Sequence, residues 1–251
     1  MNSKFEKWAK GFSGCDGGNP NGKIWICGIE WGGDSPKSIE EIKEKFKEDV
    51  SDIKNCTGYE DYRENMEYPY NKRAINILAA ISDAKIPVEE KSAYNYINRA
   101  NEKEKYFTKD SNSCKLNLSP FNFPSTDEQH WANEYRELTG FETKSEYQDW
   151  VWEKRMCLFQ DSVKKYKPAL ILTFGTTYIK QYKNFFGFKD IELKEKSYNS
   201  DSRLSLKYAS QGGTLFVNAY FLSRGWLVTS KALKETGDII RELLKKFNIN
   251  Y

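Results

Sequence analysis

Glu30 follows an apolar run that ends in Gly28, and Asn117 closes a second run just ahead of Ser119 and Pro120. A carboxylate in such a place can orient or deprotonate a water and can stabilise a developing cation. An amide carries both a donor and an acceptor, so Asn117 could read the edge of a nucleobase; it could equally cap its own loop. Two further runs end in Gly175-Thr176-Thr177 and in Tyr220-Phe221-Leu222-Ser223-Arg224-Gly225-Trp226. Gly32-Gly33, behind Glu30, could bind phosphate through backbone N–H groups, although a glycine pair after a strand is also ordinary turn chemistry. Neither the lysine of a Walker loop nor G-x-G-x-x-G spacing accompanies it, which weakens a nucleotide reading. Phe121 and Phe123 could stack bases or pack a core. Glu30 with Asp34 also admits an acid/base pair acting on a small molecule.

These residues need elements that bring them together. Four stretches have strand character: 23–29 (KIWICGI), 115–118, 169–174 (ALILTF) and 214–221 (TLFVNAYF). The first and third are near-continuous apolar runs, which suit central strands of a parallel sheet covered on both faces. Residues 38–53 place Ile39, Ile42, Phe46 and Val50 at helical spacing with charges opposite. Residues 71–84, 145–166 and 231–247 read as three more helices, and Pro87 ends the first of these. Strands alternating with helices predict one α/β domain over 1–251, an open sheet sandwiched by helices. Ligands of such sheets bind beyond the carboxyl ends of the strands, where Glu30 and Asn117 fall. Within 185–213, residues 191–196 and 203–208 flank a polar turn at 198–201, the pattern of an inserted β-hairpin.

Composition narrows the class. With 39 % hydrophobic and 15 % aromatic residues the chain is too apolar for disorder, and no run reaches the roughly 18 apolar residues of a membrane span. The N-terminal MNSKFEKWAKGF lacks the apolar stretch of a signal peptide. A net charge of +3 neither demands nor excludes a nucleic-acid partner. Cys15, Cys27, Cys56, Cys114 and Cys157 include no close pair, and His130 is the one histidine, which leaves little room for a disulfide framework or a histidine-rich metal site. A reduced, cytoplasmic chain without metal or other cofactor is the expectation.

The order of several segments resembles the uracil-DNA glycosylase superfamily, most closely its compact bacterial branches. Gly18-Asn19-Pro20-Asn21-Gly22-Lys23, leading into 24–28, resembles the family's approach to its first strand. Gly28-Ile29-Glu30-Trp31-Gly32 resembles the water-activating motif, G-x-[DN]-P-[GY] in several branches. Tyr68-Pro69-Tyr70-Asn71-Lys72-Arg73, followed by Ile77-Leu78, resembles the segment that supplies a ring to stack on the base. Leu116-Asn117-Leu118-Ser119-Pro120-Phe121 resembles the segment whose Asn reads uracil, and Lys167-Pro168 with 169–175 resembles the third strand. The agreement of order runs from about residue 14 to 245.

The resemblance implies a three-layer α/β/α sandwich around a four-stranded, mainly parallel sheet, and a DNA N-glycosylase activity. On that pattern a flipped-out base stacks on Tyr68 or Tyr70, lies beside Ile29 and pairs with Asn117. Glu30 activates water for attack at C1′, with Ser223 the second catalytic position. Leu222 or Trp226 would wedge the duplex, while Arg224 and Lys231 contact phosphate. DNA is the implied partner, and no iron–sulfur cluster is expected, because the close cysteine pair of cluster-bearing branches is missing. Two departures stand out. The family's His-Pro-Ser is replaced by Phe221-Leu222-Ser223, so only the serine remains, and Asn218 or Tyr220 would have to supply a donor to the leaving base. Trp31 stands in place of proline, and Glu30 is a methylene longer than the usual Asp. A catalytically silent protein that binds nucleic acid or nucleotides is the alternative.

Overall fold

Each of the four stretches with strand character forms a strand, and in the computed structural model these four lie side by side and parallel. The structure describes residues 2–30, 38–82, 85–123, 127–222 and 227–251. The strands are β1 (Gly17–Gly18), β2 (Ile24–Gly28), β3 (Ser113–Asn117), β4 (Leu170–Phe174), β5 (Lys194–Ser197), β6 (Ser205–Gln211) and β7 (Thr214–Ala219). Among the described residues they form one sheet in the order β1-β3-β2-β4-β7-β6-β5. The parallel centre is β3-β2-β4-β7. The expected count of four is therefore too small, since antiparallel pairing extends the sheet at both edges. The two-residue β1 pairs with β3, and the expected hairpin, β5 with β6, joins the same sheet through β7.

The helices are α1 (Ser3–Ala9), α2 (Ile39–Lys45), α3 (Pro69–Ser82), α4 (Glu90–Glu104), α5 (Asn133–Thr139), α6 (Lys144–Tyr166), α7 (Ile179–Phe185) and α8 (Ser230–Lys246). Every residue of β2, β3, β4 and β7 is buried, as strands covered on both faces must be. Alternation then sorts their side chains. Ile24, Ile26, Leu170, Leu172, Leu215 and Val217 join a core with α3 and α8. Trp25, Cys27, Ile171 and Phe216 join another with Phe159 of α6 and with Tyr182 and Phe185 of α7. A third cluster is mainly aromatic and includes Phe5, Trp8, Phe121, Trp131 and Tyr147. No helix among the described residues is long and apolar enough to cross a membrane.

The helix expected over 38–53 is shorter than its pattern. It ends at Lys45, and the chain turns so that the Val50 carbonyl accepts from Phe12 N, in the turn that follows α1, at 2.7 Å. Helix α3 begins at Pro69, where a missing N–H costs nothing. Helix α6 begins with a capping box between Thr143 and Glu146. Helix α4 lacks a sequence signal because it buries only Ala93, Ile97 and Asn101, too narrow a stripe to read. The chain passes from β2 to β3 on one side and returns to β4 on the other. The strand order thus reverses between β2 and β4, and ligands bind at such reversals beyond the strands' carboxyl ends.

Gly237 sets how closely α8 approaches α3. An added Cβ there would overlap Ala80 Cβ and come within 2.6 Å of the Ile77 carbonyl oxygen. Gly237→Ala gains about 1 kcal/mol of helix propensity. The overlap outweighs it, so we expect net destabilisation of about 1–3 kcal/mol, read as a lower urea midpoint at unchanged m-value. A midpoint that stays or rises would mean that this contact does not limit the packing.

Candidate functional site at the strand ends

The register of β2 with β3 sets Gly28 opposite Asn117. Pairing continues past both strands, since Leu118 N donates to Gly28 O at 3.1 Å and Ser119 N donates to Ile29 O at 2.7 Å. Glu30 therefore emerges beside the segment that follows Asn117. Arg155, fully buried on α6, ties that segment to the N-terminal loop, donating to Leu118 O at 2.7 Å and to Ser13 O at 2.9 Å. The loop then runs through Gly14, Cys15, Asp16, Gly17 and Gly18. Gly17 lies at φ +91°, and a Cβ there would overlap the Cys56 carbonyl, so only glycine lets this loop lie flat against its neighbour.

Glu30 faces α6. Its Oε1 lies 3.2 Å from Lys144 Nζ, with the two side chains 5 % and 1 % exposed. Lys144 Nζ also lies 3.9 Å from the centre of the Phe123 ring. Lys144 is the first residue of α6, where a cation opposes the helix dipole, so its place depends on a carboxylate partner. Oε2 of Glu30 is buried without a hydrogen-bond partner among the described residues. Desolvation dominates and pushes the Glu30 carboxyl from its ordinary 4.5 up to about 7, with Lys144 pulling the other way. A carboxyl poised there can exchange a proton near neutral pH.

Asn117 sits in a second buried network. Its Nδ2 donates to Gly14 O at 2.8 Å and to Asp16 Oδ2 at 3.5 Å. Asp16 Oδ2 is 3.0 Å from Lys115 Nζ, an ion pair with side chains 13 % and 9 % exposed. Tyr59 joins both charges, donating its hydroxyl to Asp16 Oδ1 at 3.0 Å and accepting from Lys115 Nζ at 3.4 Å and from Asn71 Nδ2 at 2.9 Å. The Lys115 ammonium lies 5.4 Å from the centre of the Tyr70 ring. That ring meets Phe174 edge-on at 5.8 Å and Phe221 at 6.3 Å. The Tyr70 hydroxyl is buried and has no partner among the described residues, and burial pushes its pKa up.

Asn117 Oδ1, the Tyr70 hydroxyl and the backbone carbonyl of Glu30 lie around Gly28, while the Glu30 carboxyl pairs with Lys144 and Ile29 is buried in the sheet core. Tyr68 stands apart, half exposed, its ring 6.2 Å from Tyr59. Leu222 does not form an exposed wedge: it is fully buried in the α3–α8 core, and its carbonyl accepts from Arg73. Lys231 is exposed in the first turn of α8. Ser223, Arg224 and Trp226 lie outside the described residues, as do Trp31, Gly32, Gly33 and Asp34. Asn218 is committed elsewhere, its Nδ2 donating to Thr173 Oγ1 and Gly175 O. Phe121 and Phe123 pack in the aromatic core rather than offering a free face. Among the described residues no three His, Cys, Asp or Glu side chains are grouped to hold a metal. Two surface depressions, of about 300 and 230 Å³, lie away from the strand ends, the first against α2 and α5 and the second between α6 and α7.

Sequence reasoning missed Asp16, Lys115, Tyr59 and Lys144. A signal existed for two of them. A lysine within a strand as short as Ser113–Asn117 demands a buried partner, and an aspartate in Gly-Cys-Asp-Gly-Gly sits where the backbone can approach closely. Neither family models, nor curated proteins, nor solved structures give a match to this chain.

The raised Glu30 pKa makes a linkage prediction. The native state holds this proton more tightly than the unfolded chain, so its contribution to stability is complete below about 4.5 and is lost as pH rises towards 7. The Tm of the wild type relative to Glu30→Gln should therefore fall between pH 5 and pH 8. A flat or rising difference would mean that Glu30 is ionised throughout.

Proposed function

We propose that the chain is a DNA N-glycosylase-like protein of the cytoplasm, built as the three-layer sandwich of the uracil-DNA glycosylase superfamily, and that it takes a flipped-out base at the ends of β2 and β3. The observation that carries the reading is the pairing of unlike groups at adjacent strand ends: a carboxyl poised near neutral pH at Glu30, and an amide at Asn117 that shares the neighbourhood of Gly28 with the Tyr70 hydroxyl. Uracil or a related altered base would lie against Asn117 and Tyr70. Ionised Glu30 would orient a water, take its proton as it attacks C1′, and offset the positive charge that develops on the sugar as the glycosidic bond breaks.

One observation favours the silent alternative, a protein that binds nucleic acid without cutting the bond. The Glu30 carboxylate is already paired with Lys144, and the family histidine for the leaving base is replaced by Phe221. Base release from labelled uracil-containing oligonucleotides, single- and double-stranded, separates the two. The glycosylase reading expects release by the wild type, reduced at least about 100-fold in Glu30→Gln and in Asn117→Ala. Tight binding without release, unchanged in Glu30→Gln, would overturn it in favour of the silent protein.

A further inference from the structure

Of the fifteen phenylalanines only Phe221, just past the end of β7, is exposed, with 41 % of its surface open. Its ring is nevertheless held from within. It tilts against the Tyr70 ring with 6.3 Å between centres, and its Cδ2 lies 3.8 Å from the place a Cβ on Gly175 would take. Gly175 is at φ +102°, so no side chain comes between. The next residue, Leu222, is fully buried, and its carbonyl accepts from Arg73 Nη1. Tyr70 and Arg73 are three positions apart in α3, so one face of that helix braces both Phe221 and Leu222. A ring braced on its inner side and open on its outer one loses little freedom when a flat partner covers it.

Arg73 adds a charge beside that ring. It is half-buried, one of its N–H groups is spent on the Leu222 carbonyl, and no carboxylate pairs with it among the described residues. A guanidinium left in this condition suits an anion from outside, and phosphate matches its fork of donors. An open aromatic ring next to such a cation is what a nucleic-acid strand needs, a platform for a base and a partner for the backbone. Strand β7 lies two places from β2, about 10 Å across the sheet, so a base at Gly28 does not reach Phe221. Tyr70 spans the interval, its hydroxyl by Gly28 and its ring by Phe221.

From this we infer that Phe221 and Arg73 form a subsite for the nucleotide next to the flipped one in the same strand, the ring stacking on its base and the guanidinium holding its phosphate; the inference rests on the base-binding reading above. Every base has a face to stack, so the subsite adds affinity without reading sequence and leaves the choice of the flipped base to Asn117.

The test is fluorescence anisotropy with single-stranded oligonucleotides that carry one central uracil, the base on either side being replaced in turn by an abasic analogue. With the wild type, loss of the base on one side should weaken binding about tenfold, the worth of one stacked base. Phe221→Ala should bind the intact strand about tenfold more weakly and lose nothing further on the strand lacking that neighbour, while Phe221→Trp keeps the wild-type affinity. Arg73→Gln, which can still donate to Leu222, should flatten the slope of log Kd against log salt by about 0.7, as for one phosphate contact on a single strand. Two losses that multiply to about a hundredfold, a wild type indifferent to both neighbours, or an unchanged salt slope in Arg73→Gln would each overturn the inference while leaving the base site standing. A wild type that binds the uracil strand no more tightly than one abasic at all three positions overturns the base site and the inference together. Should Phe221→Ala fail to fold, Phe221→Leu, which keeps an apolar contact with Tyr70 but offers no ring, takes its place with the same expectation.

Discussion

A lysine ammonium in the middle of a parallel strand buried on both faces must be neutralised where it lies, and much of the site follows from how this is done for Lys115. No neighbouring strand of the sheet centre offers a charge. The partner comes instead from a loop that precedes β2 in sequence, and the loop can reach Lys115 only because glycines at 14, 17 and 18 take backbone angles that side chains disfavour. Once Asp16 is there, Tyr59 is drawn in to bridge the two charges, Asn71 in turn donates to Tyr59, and Asn117 is turned by the same carboxylate. A buried ion pair of this kind adds little to stability and costs a great deal when broken, which makes it a device for holding geometry.

The two carboxylates nearest the strand ends are held in opposite conditions. Asp16 receives a charged and a neutral donor and so has both oxygens occupied. Glu30 has its charged partner on one oxygen only, and the other is buried without a donor. Similar burial therefore yields a compensated charge at Asp16 and an under-compensated one at Glu30, whose proton is held up to about neutral pH. The first suits a fixed part of a binding surface. The second suits a group that gains or loses a proton as something binds.

What was legible in the sequence is what depends on periodicity. Strands β2, β4 and β7 and helices α3 and α8 bury broad apolar faces and announce themselves, and so do the strand ends at Glu30 and Asn117. The hairpin was legible from its turn, but its edge-to-edge union with β7 was not, because backbone pairing has no side-chain signature. Helix α4 stayed hidden behind a narrow stripe. Asp16 and Lys115 are 99 positions apart in the chain, and Glu30 and Lys144 are 114 apart. Such pairs depend on tertiary approach, which spacing along the chain cannot reveal.

The arrangement also bears on where the work of breaking a glycosidic bond would fall. Lys115 and the Asn117 amide both donate to Asp16 Oδ2, so the ammonium draws density from the carboxylate, while donation from Nδ2 leaves the amide oxygen the more electron-rich. Oδ1 attracts a donor and repels negative charge. A base held there would find poor support for charge gathering on itself as it leaves, the more so with Phe221 where the family proposed above carries a histidine. The sugar side is better provided, since ionised Glu30 opposes a growing positive charge from within a site sheltered from water. A reaction in this site would therefore draw its stabilisation from the sugar cation.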